Sequence, residues 1–178
     1  RGDVRDRRAV ERACKGQDAV VLLACLSNDP MSDIDENLTR SINYDALKMV
    51  VGIAKSSGLR RCVYASSSSV YGIQDVPSVT EKTELKPSTL YSRLKADMED
   101  VVNQAADDGF TTVSVRSATV CGYSPRMRLD LLVNLFPYLA VKNGVIAIEG
   151  GKQIRPLIHI SDLVRCYSLL LTVEQETI

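Results

Sequence analysis

The fold is decided by RCVYASSSSVYG at residues 61–72 and, after a polar connection containing Pro77, by PSTLYSRLK at residues 87–95. Cys62, Val63, Tyr64 and Ala65 read as a buried strand that stops at four serines, Ser66 to Ser69. The second piece opens a helix predicted over 89–106, with Leu90, Leu94, Met98 and Val102 turned to a core. Tyr91 and Lys95 are four residues apart and share one face of that helix. A strand delivering hydroxyls at its C-terminal end, beside a helix presenting a phenol and an ammonium, has a chemical use. A free Tyr, with a pKa of about 10, is a poor acid or base at neutral pH. A Lys close by favours the phenolate and brings proton transfer within reach. A serine hydroxyl opposite could hold a substrate alcohol or carbonyl against that phenol.

Outward from this stretch the chain alternates. Upstream, a short helix is predicted over 10–15, broken by Gly16-Gln17-Asp18. A strand buried on both faces is predicted over 19–23, running into Ala24-Cys25-Leu26-Ser27 and a turn at Asn28-Asp29-Pro30. A long helix follows over 38–57, with Ile42, Ala46, Met49, Val50 and Ile53 inward and Gly58 closing it. Downstream come a strand over 112–115, a connection through Cys121-Gly122-Tyr123-Ser124-Pro125, and a helix over 131–141 that Pro137 should kink or split. Short strands over 145–148 and 157–160 precede a last helix over 163–173. This order predicts an α/β fold: a partial Rossmann-like, doubly wound parallel sheet with part of a small substrate-binding lobe. The division expected is 1–125 for the sheet domain and 126–178 for the lobe with late sheet elements.

Composition narrows the function classes. The 178 residues are 45% hydrophobic, enough for a real core, and 22 basic residues balance 22 acidic ones. That balance gives no electrostatic case for a nucleic-acid partner or an anionic membrane surface. No apolar run approaches the roughly 20 residues of a membrane span, and no signal peptide is visible. The five cysteines, Cys14, Cys25, Cys62, Cys121 and Cys166, lack metal-ligand spacing and read as reduced thiols of a cytoplasmic protein. The only histidine, His159, lies in an apolar strand and reads as a core residue bonded to backbone. The opening Arg1-Gly2-Asp3 spells a cell-adhesion tripeptide, here taken as coincidence. Since the chain opens without Met and stops inside an expected helix, a segment of a longer polypeptide is predicted.

Several pieces together resemble the extended short-chain dehydrogenase/reductases, in particular the NAD-dependent nucleotide-sugar epimerase/dehydratase group and relatives of UDP-glucose 4-epimerase. They are Gly2-Asp3-Val4-Arg5-Asp6, Asp18 to Ala24, Asn43, Ser66-Ser67-Ser68-Ser69-Val70-Tyr71-Gly72, Tyr91-Ser92-Arg93-Leu94-Lys95, Val115-Arg116, and Arg155 to Leu163. The resemblance implies Tyr91 as catalytic acid/base, Lys95 as its partner and a cofactor-ribose ligand, and Ser67 as the catalytic hydroxyl. It places Asp3 and Val4 at the adenine, Leu23, Ala24 and Cys25 under the pyrophosphate and nicotinamide, and Asn43 on the helix supporting the site. Ser117 and Thr119 follow the strand that returns to the nicotinamide and sugar. Asn134, Ala147 and Arg155 match positions that hold the nucleotide diphosphate, where an arginine suits bidentate phosphate contacts.

The implied reaction is epimerisation at C4 of a nucleotide-diphosphate sugar with NAD, in a homodimer formed through the helices over 38–57 and 89–106. The Gly-rich turn that binds pyrophosphate in this fold is not in the sequence, and the strand at Ala19 is expected to have an open edge. The family's 4,6-dehydratases carry Asp and Glu directly after the catalytic hydroxyl; here Ser68 and Ser69 stand there, which favours an epimerase or a simple reductase. Thr119, where epimerases often carry Asn, leaves the sugar unspecified. The alternatives are an NAD(P)H-dependent reductase, a dehydratase of the same family, and a non-catalytic nucleotide-binding relative. Ser92-Arg93-Leu94-Lys95 also spells the S-x-x-K of penicillin-binding enzymes, whose companion motifs are absent, so Ser92 reads as a helix-surface residue.

Overall fold

Asp6 starts the first helix. Its carboxylate accepts from the Arg8 and Ala9 amides, so α1 spans Arg7–Cys14 and begins earlier than its apolar residues suggest. The structure is a computed structural model that describes residues 2–27, 32, 34–148 and 150–177. Arg1 and the turn expected at Asn28-Asp29-Pro30 lie outside the described residues. The chain divides into two compact units, Arg1–Arg116 with Leu169–Ile178, and Ser117–Ser168.

In the first unit β1 (Ala19–Leu22), β2 (Arg61–Ala65) and β3 (Thr111–Val115) form a parallel sheet in the order β1-β2-β3. Ala19 pairs with Arg61, and Arg61 in turn with Thr111. β2 is the central strand, and its Cys62, Val63 and Tyr64 are fully buried. β1 is an edge strand of this sheet, and only Leu22 of its four residues is buried. Burial on both faces, expected from its run of small and branched residues, is therefore not what the strand has.

The long upstream helix is continuous but not uniform. Glu36–Arg40 is α-helical, Ser41–Ala46 is a π-helical stretch, and Leu47–Ser56 is α-helical again; together they are α2. Gly58, with φ +81°, ends it in the left-handed region that glycine enters without cost. Leu47, Val50, Val51, Ile53 and Ala54 pack into a core with Val10, Cys14, Cys62, Met98 and Val102. α3 (Leu90–Ala105) contributes Met98 and Val102 to that core and buries Leu94. Between β2 and α3, a short 3-10 turn at Ser68–Tyr71 leads to Gly72, where φ is +62° and a Cβ would sit 2.0 Å from the Lys86 carbonyl. Only glycine fits there.

The second unit is small. β4 (Thr119–Cys121) pairs in parallel with β5 (Leu157–His159), and α4 (Leu132–Asn143) runs through Pro137 as one helix rather than two. The strand expected over 145–148 does not form; Val145 and Ile148 are exposed there without a pairing partner. β4 itself is a strand where the sequence suggested only a connection. α5 (Ile160–Thr172) follows β5 directly. His159 is exposed, not a core residue, and its Nδ1 lies 2.7 Å from Ser161 Oγ.

Candidate active site

Because β1, β2 and β3 are parallel, their C-terminal ends lie along one edge of the sheet, where ligands bind in open α/β folds. Leu23, Ala24 and Cys25 leave β1 at that edge, Ser66 to Ser69 leave β2, and Arg116 leaves β3. α3 presents Tyr91 and Lys95 in its first two turns. Its start is fixed by a capping box: Thr89 Oγ1 accepts from the Ser92 amide at 3.2 Å, and Ser92 Oγ accepts from the Thr89 amide at 3.0 Å. Ser92 is thus a buried cap partner, not a surface residue.

Lys95 is 3% exposed. Its Nζ donates to the Ala65 carbonyl at 2.6 Å, the last residue of β2 before the serines. The same nitrogen lies 4.9 Å from the centre of the Tyr64 ring and 5.6 Å from that of Tyr91, so two electron-rich faces flank the cation. Burial pulls the Lys95 ammonium below the ordinary lysine range, while the neighbouring Cys25 thiol and Glu99 carboxylate act in the opposite sense.

Ser67 caps the 3-10 turn. Its Oγ accepts from the Ser69 amide at 3.2 Å and from Ser69 Oγ at 2.9 Å. A hydroxyl has two acceptor sites and one donor. With both acceptor sites used by Ser69, Ser67 is left with its O–H to give to a substrate oxygen.

Ser66 donates instead to the carboxylate of Glu99, which is one turn beyond Lys95 on α3 and 3% exposed. Arg116 meets the same carboxylate through Nε at 3.0 Å and Nη2 at 2.7 Å, and its Nη1 reaches the Tyr71 hydroxyl at 3.0 Å. The Glu99 bonds hold the Arg116 guanidinium above its usual range. Glu99, Ser66, Ser69 and Tyr64 carry no role in the motif-based assignment. The one signal for Glu99 in the sequence is its place in the Tyr91, Lys95, Glu99 row, four residues apart each time.

Asn43 stands behind the site. It is buried in the π-helical stretch, where its Oδ1 accepts from the Leu26 amide at 2.8 Å and its Nδ2 donates to the Leu26 carbonyl at 3.0 Å. Both ends of the amide are used on the main chain just after Cys25, so Asn43 sets the path of that loop. Cys25 is half-buried, and the Cys62 thiol is pushed up to about 12 by burial and is inert.

The Tyr64 hydroxyl is buried with no hydrogen-bond partner among the described residues. Tyr64→Phe keeps the ring under Lys95 and removes an orphan polar group. The variant is expected to match the wild type in urea denaturation or gain about 1 kcal/mol. A loss of that size would show that a bound water satisfies the hydroxyl.

The remaining sequence-derived positions are separate from this cluster in the chain. Asp3 is exposed, and its carboxylate is held by the Arg5 side chain through Nε at 3.0 Å and by the Arg5 main-chain amide at 2.9 Å, which lowers its pKa to about 2. Val4 is half-buried, and Leu23 and Ala24 are exposed. Ser117, Thr119, Asn134, Ala147 and Arg155 belong to the second unit. Within it Thr119 starts β4, Asn134 donates to the Arg128 carbonyl at 3.0 Å, and Ala147 and Arg155 are exposed. Among the described residues no group of His, Cys, Asp and Glu could hold a metal ion. No helix among them is long and apolar enough to cross a membrane.

Comparison with known proteins gives a consistent result. The profile described as "NAD dependent epimerase/dehydratase family" matches residues 1–177. A UDP-glucose 4-epimerase of Streptomyces lividans is 25% identical over 95% of this chain and 56% of its own. A dTDP-glucose 4,6-dehydratase of Streptomyces griseus is 29% identical over 93% of this chain and 50% of its own. Among solved structures, MoeE5 in complex with UDP-glucuronic acid and NAD superposes with a TM-score of 0.85 at 28% identity, covering 98% of this chain and 58% of that one. DesIV, a dTDP-glucose 4,6-dehydratase from Streptomyces venezuelae with NAD bound, gives 0.85 at 26% identity over 98% and 54%. The chain spans about half the length of these curated relatives.

Proposed function

Because the chain belongs to the NAD-dependent epimerase/dehydratase family, we propose that it epimerises a nucleotide-diphosphate sugar at C4, with Ser67, Tyr91 and Lys95 as its catalytic residues. The observation that carries this reading is the anchoring of Lys95 Nζ on Ala65, which brings the ammonium to the strand end that leads into Ser67.

NAD is the cofactor of the family. The residues present suit its nicotinamide and ribose end: an apolar side chain, Leu23, stands 61% exposed at the ligand edge of the sheet, and Lys95 Nζ is held 5.6 Å from the centre of the Tyr91 ring. We assign cofactor contacts to Asp3, Val4, Leu23, Ala24, Cys25, Tyr91, Lys95 and Ser117, with Asn43 supporting the loop after Cys25. Substrate contacts are assigned to Ser67, Thr119, Asn134, Ala147 and Arg155. When bound, NAD supplies the hydride acceptor for C4 and the donor for its return.

Tyr91, as phenolate, takes the proton of the C4 hydroxyl. The Lys95 ammonium stabilises that phenolate. Ser67 donates its O–H to the same substrate oxygen and steadies it while the carbonyl forms. After the ketosugar has turned over, Tyr91 returns the proton to the oxygen. Epimerisation is favoured over dehydration because no carboxylate stands at positions 68 and 69, and Ser69 is committed to Ser67 Oγ.

The test is mass spectrometry of the denatured protein together with incubation with UDP-sugars. Released NAD and interconversion of C4 epimers are expected. A sugar product that has lost water would assign a dehydratase instead. The outer faces of α2 and α3, where Tyr44, Lys48, Asp97, Asp100 and Gln104 line a groove, support a homodimer through these helices. Light scattering on the same sample measures it.

A further inference from the structure

The serine run is tied at both ends to the helix that carries Tyr91 and Lys95, and one buried carboxylate makes both ties. At the upstream end, Ser66 donates directly to Glu99 Oε1. At the downstream end, the Tyr71 hydroxyl accepts from Arg116 Nη1 at 3.0 Å, while Arg116 Nε and Nη2 hold Glu99. The Arg116 guanidinium also lies 5.0 Å from the centre of the Tyr71 ring. Ser67 and Ser69 lie between these two anchor points. Glu99 follows Lys95 by one helical turn and Tyr91 by two, so beyond the Lys95–Ala65 bond at the strand end the position of the loop itself is set through one side chain.

A buried ion pair is weak evidence for stability, since well-packed apolar residues in its place are often as stable or more so. Here the pair also directs two hydrogen bonds onto one six-residue loop. We propose that Glu99 is a positioning residue, which fixes Ser67 against Tyr91 and Lys95 by clamping Ser66 and Tyr71. The inference rests on the roles proposed above for those three residues, but its test does not depend on turnover.

The measurement is amide hydrogen exchange by NMR on the full chain, comparing wild type, Glu99→Gln and Tyr71→Phe. The loop amides to follow are Ser69, Val70 and Gly72, which bond to Ser67 Oγ, Ser67 O and Ser69 O. The reference amides are those of Val63 and Tyr64 in β2. In Glu99→Gln the loop amides are expected to exchange about tenfold faster relative to the strand, the effect of losing charge-assisted hydrogen bonds locally. Tyr71→Phe cuts only the downstream tie, leaves the ion pair in place and is expected to give a smaller acceleration, centred on Gly72. Equal acceleration of loop and strand in Tyr71→Phe, or in Glu99→Gln where it folds, would overturn the proposal, because a role in stability alone moves both together. In turnover assays with UDP-sugars, Glu99→Gln should lower kcat and leave KM within about twofold. Wild-type protein without turnover would count against the proposed reaction alone, and the exchange comparison would still decide the role of Glu99.

Discussion

Tyr91→Phe is expected to lower kcat for a UDP-sugar by about 10²–10⁴-fold, the range that a positioned acid/base group contributes. The substitution removes the phenolic oxygen and keeps the ring. The ring remains 5.6 Å or so from Lys95 Nζ, where it keeps its contact with the cation, and Lys95 is still anchored on Ala65. Retained NAD and an unchanged melting temperature should accompany the loss, which separates chemistry from binding and folding. Steady-state kinetics with mass-spectrometric cofactor analysis measures all three. A fall of less than tenfold would move the proton transfer to another group.

The largest effect on stability is expected from Arg116→Ala. The Glu99 side chain is 5% exposed and that of Arg116 22% exposed, so removing the guanidinium leaves a buried carboxylate with Ser66 as its side-chain donor among the described residues. Breaking a buried pair on one side costs about 3–5 kcal/mol. For a chain of this size that is a fall in Tm of roughly 10 °C. Arg116→Lys should recover only part of it, because an ammonium cannot chelate both carboxylate oxygens and reach Tyr71 as well. Thermal and urea denaturation of the two variants gives the comparison. Equal loss in both would mean that the planar, bidentate geometry is what matters. A loss below about 1 kcal/mol in Arg116→Ala would mean that water replaces the guanidinium.

Much of this was legible in the chain. Cys62 to Ala65 read as a buried central strand because the run has no alternating polar face, the pattern of a strand covered by helices on both faces, and the structure buries Cys62, Val63 and Tyr64 completely. Tyr91 and Lys95 could be placed on one helical face from their spacing alone. Residues 145–148 failed for the opposite reason: an apolar run signals a strand only when a partner is at hand, and none pairs with it here. Ser92 was misplaced because a cap partner and a surface serine look alike until the start of the helix is fixed. The π-helical stretch left no trace in the periodicity. Glu99 was hidden by its charge: a lone acidic residue on a helix ordinarily faces water, and what pairs with it inside is Arg116, 17 positions away and beyond any local pattern.

The register of the sheet has a bearing on how the protein is made. Ala19 finds its partner at Arg61, and Arg61 finds its own at Thr111. No two strands of this sheet are joined by a hairpin, so none can pair until a whole crossover has been synthesised. At about 5–20 residues per second, a ribosome needs several seconds to travel from Ala19 to Arg61 and as long again to reach Thr111. For that interval the pairing of β1 with β2, and then of β2 with β3, waits on the crossover between them. The slow, non-local closure typical of parallel sheets therefore sets the pace at which this sheet can assemble behind the ribosome.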